Sequence, residues 1–113
     1  MTVDDAESLR DFYAGVVGWT SEPVDMGDYA DFNMLNGAGE PVAGVCFQRG
    51  SNQGIPQKWM IYVTVADLDE SIAACDAGGG AVVHGPRSMG TMGRYCIVRD
   101  PAGAVMGLFE QTD

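Results

Sequence analysis

Two stretches of the chain show the apolar spacing of an amphipathic helix. In the first, apolar residues recur every three or four positions from Ala6 to Val17, which is the period of an α-helix. Asp4 and Asp5 precede this stretch, where a carboxylate can accept hydrogen bonds from the unpaired N–H groups of the first turn. Gly18 follows it, and glycine commonly ends a helix. The pattern therefore predicts one helix near the amino terminus.

The second stretch begins after Asp67, in the other half of the chain. Leu68, Ile72 and Cys75 would lie on one face of a helix. The glycines at 78–80 end the periodicity, so the pattern predicts a second helix. Because these glycines follow a helix instead of opening one, they do not form a phosphate-binding loop.

The remaining apolar runs have the alternation and the flanking turn residues of β-strands. The predicted strands are 19–23, 28–35, 42–48, 59–65, 81–84, 94–99 and 105–110. Residues 49–57 have no periodicity and contain Gly, Ser, Asn and Pro, so we interpret them as a linker. His84 falls at the start of a loop-rich segment, where we expect a surface residue.

The two halves of the chain resemble each other. A shift of about 63 positions places Phe32 on Tyr95, Met34 on Ile97, Val42 on Val105 and Gly44 on Gly107. Each half has the order strand, helix, strand, strand, strand, but only Thr2 and Val3 precede the first helix cap. We therefore predict an α+β fold in which two βαβββ modules form a cup-shaped mixed sheet, with the first strand shortened or missing.

The predicted organisation is a single domain, 1–113, with module one at 1–48, the linker at 49–57 and module two at 58–113. A ferredoxin-like βαββ arrangement is the alternative, but it would leave the strands after Gly37 unexplained. Either the true start of the first strand lies upstream, or the strand is absent and a sheet edge is open; open edges favour pairing with another chain. We therefore expect a homodimer.

The composition narrows the range of partners. Six Lys and Arg residues against 16 Asp and Glu residues give a formal net charge of −10, whereas nucleic acids and anionic membranes attract basic surfaces. We expect neither as a partner. The three widely spaced cysteines fit neither a disulfide framework nor a zinc site. Residues 1–8 lack a signal-peptide pattern and no apolar stretch is long enough to span a bilayer, so a cytoplasmic location is expected.

Three segments resemble the vicinal oxygen chelate superfamily, which includes glyoxalase I, extradiol dioxygenases and bleomycin-resistance proteins. They are the strand–helix joint at 63–69, the Asp-Pro-Ala-Gly turn within 99–108, and Phe12-Tyr13 followed by Gly18-Trp19. The tryptophan at the start of the predicted fifth strand, Trp59, is a feature in which the chain resembles the small actinobacterial glyoxalase-like domains. The resemblance implies a doubled βαβββ fold around a small-molecule site, but it does not fix the activity, because this fold hosts many chemistries.

The resemblance also implies four strand positions for metal ligands, which are His, Glu or Gln in the family's enzymes. Three of these positions fall on Gly44, Met60 and Gly107, and the fourth falls before Met1. Glycine has no side chain, and a thioether is a poor ligand for hard or borderline divalent ions. The single histidine, His84, lies away from these positions. We therefore expect no metal ion, no cofactor and no catalytic residue of the family's type.

Counted from the strand positions that the resemblance implies, alternation gives the side chains that would face a ligand. The candidates are Gly44, Cys46, Met60, Tyr62, Thr64, Gly107 and Phe109, with Trp59 at the mouth of the cup. The intervening residues, such as Ile61, Val63 and Leu108, would pack under the helices. The two glycines leave room for a ligand or for a bulky neighbour such as Met60. The one thiol of this set lies in an apolar run and is expected to be inert.

These features favour a metal-free small-molecule-binding protein of the glyoxalase and bleomycin-resistance type, with an apolar or aromatic ligand held in the cup between the modules. One alternative is a metal-dependent glyoxalase-like lyase or dioxygenase whose ligands lie outside the expected positions. Another is a structural subunit whose cup is filled by its own side chains. Metal analysis separates the first two hypotheses, and a ligand screen separates the first from the third.

Overall fold

The computed structural model describes residues 1–112, which form two α-helices and eight strands in two four-stranded mixed sheets. The helices are α1 (Ala6–Val17) and α2 (Leu68–Ala77). The strands are β1 (Thr2–Val3), β2 (Thr20–Asp25), β3 (Ala30–Leu35), β4 (Pro41–Phe47), β5 (Tyr62–Thr64), β6 (Ala81–Ser88), β7 (Gly93–Arg99) and β8 (Val105–Gln111). The predicted α+β fold of two βαβββ modules is confirmed, and the first strand is indeed short.

The two sheets have the same strand order. It is β1-β4-β3-β2 in the first and β5-β8-β7-β6 in the second, with the first pair parallel and the other pairs antiparallel in each. The chain forms two compact units, Met1–Trp59 and Met60–Asp113. Residues 49–57, interpreted above as a linker, belong to the first unit and contain a 3-10 turn and the buried Ile55.

In the first unit, α1 covers one face of the sheet. The Ser8 N–H donates to Asp5 Oδ1 at 3.1 Å, which caps the helix, and Gly18 ends it in the left-handed conformation with φ 84°. Ala6 packs with Met34 and Val45 in the core of this unit. A helix in a protein is stabilised chiefly by the packing of its apolar face, so this contact holds α1 on the sheet.

In the second unit, α2 covers β6, β7 and β8. Asp67 caps the helix by accepting the Glu70 N–H at 3.1 Å. Leu68 is fully buried against Cys96 and Leu108. The predicted start and packing face of the second helix are therefore confirmed.

The turn between β3 and β4 and the turn between β7 and β8 have the same hydrogen bonds, which shows the repeat at atomic detail. Asn36 accepts hydrogen bonds from the second and fourth backbone N–H groups that follow it, and Asp100 does the same in the second unit. The third following residue is a glycine in both turns, Gly39 with φ 79° and Gly103 with φ 91°. Only glycine adopts such a conformation without strain, so these turn residues fix the hairpins.

The single repeat offset predicted above is wrong for β3 and β7. Phe32 pairs with Val45, whereas in the second unit Leu108, the counterpart of Val45, pairs with Cys96. Phe32 therefore corresponds to Cys96 and not to Tyr95, because an irregularity in the β3–β4 pairing shifts the register by one residue. A one-residue shift moves a side chain to the other face of a sheet.

The predicted fifth strand is also too long. β5 comprises only Tyr62–Thr64, and Ile61 and Val63 are 68% and 42% exposed instead of packed under α2. These side chains are exposed because β5 is an edge strand of its sheet and α2 packs over the other three strands.

The sixth strand is longer than predicted. It continues to Ser88 and includes His84, which is only 8% exposed. The expectation that His84 is a surface loop residue is therefore wrong. Two irregularities in the β6–β7 pairing, one on each side of His84, let the strand continue through a Gly-Pro sequence.

Neither α1 nor α2, the helices of residues 1–112, is long and apolar enough to cross a membrane.

The core of the first unit predicts a stability difference between two methionines. Met34 is fully buried, whereas Met26 is 42% exposed in the segment between β2 and β3. We expect Met34→Ala to lower the free energy of unfolding by about 2–5 kcal/mol, since the substitution removes buried methylenes and leaves a cavity. Met26→Ala should change it by less than about 0.5 kcal/mol. Urea denaturation followed by circular dichroism measures both, and equal effects would contradict the described core.

Candidate functional site

One face of the second sheet points away from α2, and we call it the Gly107 face. By strand pairing it carries Tyr62 and Thr64 on β5, His84 on β6, Tyr95 and Ile97 on β7, and Gly107 and Phe109 on β8. Four of the ligand-contacting residues predicted above thus share a face with two that sequence reasoning missed, His84 and Tyr95. The role of the predicted residues in binding a ligand stays a prediction.

The aromatic ring of Tyr62 covers the backbone of Gly107. The two residues are register partners in the parallel β5–β8 pair. A Cβ atom built on Gly107 would overlap three ring carbons of Tyr62. We call the space that a side chain at this position would need the Gly107 notch. It is filled by Tyr62, which is itself 46% exposed, and not by Met60.

A hydrogen-bonded pair of ring side chains lies on the same face. The Nε2 atom of His84 is 3.1 Å from the hydroxyl oxygen of Tyr95, and both residues are buried. The rings of Tyr62 and Tyr95 have centroids 6.5 Å apart. The notch and the pair are therefore neighbours in one unit.

Gly44 in the first unit has a different environment. A Cβ built there would meet its nearest atom, Cys46 Sγ, at an ordinary contact distance of 3.9 Å. Gly44 pairs with Asn33, so it lies on the face of the first sheet that does not contact α1. Among residues 1–112, no ring lies over this glycine in the way that the Tyr62 ring lies over Gly107.

Cys46 is poorly suited to nucleophilic chemistry. Burial and the neighbouring carboxylate of Asp31 raise the pKa of the Cys46 thiol to about 11. Burial also raises the pKa of Asp31, which accepts the Phe47 N–H at 2.8 Å. Since the thiolate is the reactive form of cysteine, this thiol has little nucleophile to offer at neutral pH.

Trp59 does not open a strand. Its indole N–H donates to the Tyr13 hydroxyl at 2.9 Å, and its ring lies 5.0 Å from Tyr13 and 6.2 Å from Trp19, edge to face in both cases. The Phe12-Tyr13 and Gly18-Trp19 motif thus forms an aromatic cluster at the end of α1. Trp59 belongs to this cluster in the first unit, which explains why it leaves β5.

The positions implied for metal ligands do not present a suitable donor set. Gly44 and Gly107 offer no side chain, the notch above Gly107 holds a phenol ring, and Met60 precedes β5 and offers only a thioether. Within residues 1–112 no three His, Cys, Asp or Glu side chains converge on a common point. The residues at these positions do not fit a divalent metal, which requires several nitrogen or oxygen ligands.

A shallow polar groove of about 540 Å³ lies at the start of α2, on the other face of the sheet. Glu110 lines it and accepts the Leu68 N–H at 2.7 Å, and Arg94 forms ion pairs with Glu110 at 3.2 Å and with Asp69 at 3.5 Å. As alternation predicts, Glu110 points away from the Gly107 face. Its carboxylate is engaged in capping α2, so the groove has a structural explanation.

Comparison with known proteins identifies the family. The sequence profile of the glyoxalase-like domain matches residues 1–109. The chain belongs to the glyoxalase-like domain family. The superfamily predicted from the sequence motifs is therefore confirmed.

Two curated relatives show how far the similarity reaches. "Putative glyoxylase CFP32" of Mycobacterium tuberculosis is 30% identical over 99 residues, which cover 88% of this chain and 37% of that protein. "Anthracycline biosynthesis protein DnrV" of Streptomyces peucetius is 27% identical over 119 residues, covering 95% of this chain and 43% of that protein. This glyoxalase-like chain thus spans less than half of the length of either relative.

A solved structure agrees with the fold. Methylmalonyl-CoA epimerase from Mycobacterium tuberculosis superimposes with a TM-score of 0.59, covering 99% of this chain and 84% of that chain. The two sequences are 14% identical, so the likeness shows the shared fold alone.

The environments of Gly107 and Gly44 predict that replacement by alanine is costly at the first position and tolerated at the second. Gly107→Ala should lower the free energy of unfolding by about 1–3 kcal/mol, because the new Cβ must push the Tyr62 ring out of the notch. Gly44→Ala should be tolerated within about 0.5 kcal/mol, since its Cβ meets only ordinary contacts. Chemical denaturation measures both. In a Tyr62→Ala background the cost of Gly107→Ala should largely disappear, and a cost that persists would contradict the described packing.

The environment of Cys46 predicts its pH response. With a pKa of about 11, its rate of alkylation by iodoacetamide should still rise about tenfold per pH unit above pH 8.5, the pKa of an unperturbed cysteine. Asp31→Asn should lower this pKa, because it removes a neighbouring negative charge. Peptide mapping by mass spectrometry gives the rate at Cys46. A rate that levels off below pH 8 would contradict the prediction.

Proposed function

We propose that this chain binds a planar aromatic small molecule in the Gly107 notch without a metal ion. The observation that carries the proposal is the Tyr62 ring seated on Gly107. We take Tyr62 as a stand-in for a ligand, because its flat phenol ring already lies in the notch. A ligand ring of the same shape would take its place when Tyr62 rotates outward.

The exposure of Tyr62 supports this exchange. Its side chain is half-exposed on an edge strand, so the ring already borders solvent. Tyr95 and Phe109 are register partners in β7 and β8, so two more aromatic residues lie on the same face as the notch. Aromatic rings pack against one another with a preference that adds to the burial of apolar area.

The relatives support the ligand class. DnrV and DauV are named as anthracycline biosynthesis proteins, and anthracyclines contain a planar fused ring system. The present chain corresponds to less than half of DnrV, so the shared feature is a domain and not the whole protein. The name of CFP32 points instead to glyoxylase chemistry, which the test below distinguishes.

The proposal predicts binding that does not depend on a divalent metal. We expect saturable binding of doxorubicin, an anthracycline probe, by isothermal titration calorimetry, with the same dissociation constant before and after treatment with EDTA. Binding that requires added Zn²⁺, Ni²⁺ or Mn²⁺, or chemical conversion of the probe, would favour a metal-dependent enzyme instead. The absence of saturable binding would favour a domain whose notch is permanently filled by Tyr62.

Three variants locate the site. Tyr62→Ala empties the notch and should tighten binding by a factor of about 3–10, since the ligand no longer displaces a packed aromatic ring worth about 0.5–1.5 kcal/mol. Gly107→Leu should abolish binding because its side chain fills the notch. Val63→Ala is the matched control, because Val63 lies next to Tyr62 on the opposite face of β5. Equal affinity in all three variants would place the ligand elsewhere.

The homodimer predicted from the sequence stays a prediction, which sedimentation velocity over a range of protein concentrations tests.

A further inference from the structure

Two arginines share the Gly107 face with the notch. Arg87 is the register partner of Tyr95 in the β6–β7 pair, so these two side chains lie on the same side of the sheet. Arg99 follows Ile97 by two residues on β7, and residues two apart on a strand point to the same side. Both arginines therefore project from the face that carries Gly107.

The positive charge of these arginines is not balanced on the face where they lie. Both residues are exposed, and within residues 1–112 neither forms an ion pair, whereas the other three arginines of the chain each form one. Glu110 is the one acidic residue of strands β5 to β8, and it points to the opposite face. The Gly107 face thus bears positive charge in a chain whose formal net charge is −10. A local charge of this sign attracts an anionic group.

Of the two arginines, Arg99 is the neighbour of the notch. Gly107 pairs with Ile97, and Arg99 lies two residues further along β7, so Arg99 is the diagonal neighbour of Gly107 across the β7–β8 pair. Diagonal neighbours in an antiparallel pair are about 7–8 Å apart, which is within reach of long side chains. Arg87 lies on β6, two strands away from β8. A substituent on a ligand ring in the notch is therefore within reach of the Arg99 guanidinium.

The chemistry of Arg99 suits a carboxylate. A guanidinium is planar and always charged, and its paired N–H donors match the two oxygen atoms of a carboxylate. It also stacks on flat rings, which suits a carboxylate attached directly to an aromatic system. Because Arg99 forms no ion pair within residues 1–112, it can bind such a group without first breaking another ionic contact.

We propose that Arg99 binds the anionic group of an aromatic carboxylate whose ring lies in the Gly107 notch. This inference rests on the proposed function and adds the chemical class of the ligand. In it Arg99 contacts the ligand and determines specificity, whereas Arg87 makes no contact with it.

A pair of nearly isosteric probes tests the preference for a negative charge. 2-Naphthoate and 2-naphthamide have the same ring system and a similar shape, but only the first is charged at neutral pH. We expect the wild-type chain to bind 2-naphthoate about fivefold more tightly at low salt, the upper range for an exposed ion pair. The preference should fall toward unity at about 0.5 M NaCl, because salt screens exposed charges. Isothermal titration calorimetry gives both constants. Doxorubicin carries its amino group on a sugar, so it tests the notch and not this charge preference.

Two matched variants locate the charge that is responsible. Arg99→Gln should abolish the preference for 2-naphthoate and leave the affinity for 2-naphthamide unchanged, because it removes the charge and keeps the ring site. Arg87→Gln removes the same charge from the same face, but away from the notch, and should retain the preference. A preference that persists in Arg99→Gln, or that is lost equally in both variants, would overturn the assignment of Arg99.

The failure of this inference and the failure of the proposed function give different results. Equal affinity of the wild-type chain for both probes at low salt overturns the role of Arg99 and leaves aromatic binding in place. No saturable binding of either probe to the wild type or to Tyr62→Ala overturns the proposed function and the role of Arg99 with it.

Discussion

The contact between the Tyr62 ring and the bare backbone of Gly107 is the constraint on which the described site depends. It requires a residue without a side chain at the centre of β8 and a flat side chain opposite it on β5. The same contact occupies one of the strand positions at which the family resemblance implies a metal ligand. The packing of Tyr62 and the absence of a donor side chain at position 107 therefore both follow from one residue, Gly107.

Successive side chains of β8 point to opposite faces of the sheet, so the two faces of this strand have different roles. Gly107 and Phe109 face the notch, while Leu108 and Glu110 face α2, where one fills the core and the other caps the helix. A strand in this arrangement can change its ligand-facing residues without changing its packing residues. A fold with such a separation can host different chemistries on one scaffold.

Local chemistry made much of the fold predictable. Several features depend only on residues that are close in sequence, so the sequence alone locates them. They are the capping carboxylates of Asp5 and Asp67, the Gly18 that ends α1 and the turn at Asp100. The face of β8 that carries Gly107 also followed from simple alternation. The differences from the predicted fold result from tertiary packing. Trp59 lies outside its predicted strand because it forms a hydrogen bond with Tyr13 and aromatic contacts with Tyr13 and Trp19. Likewise, the burial of His84 depends on two register irregularities that no local pattern marks.

The aromatic cluster at the end of α1 has a spectroscopic consequence. Both tryptophans of the chain, Trp19 and Trp59, belong to it and hence to the first unit, whereas the rings around Gly107 are tyrosine and phenylalanine. Indole emission excited at the red edge thus monitors the melting of one half of the molecule only. Comparison with the amide signal in the far ultraviolet, which averages over both halves, would reveal whether they unfold together or in sequence.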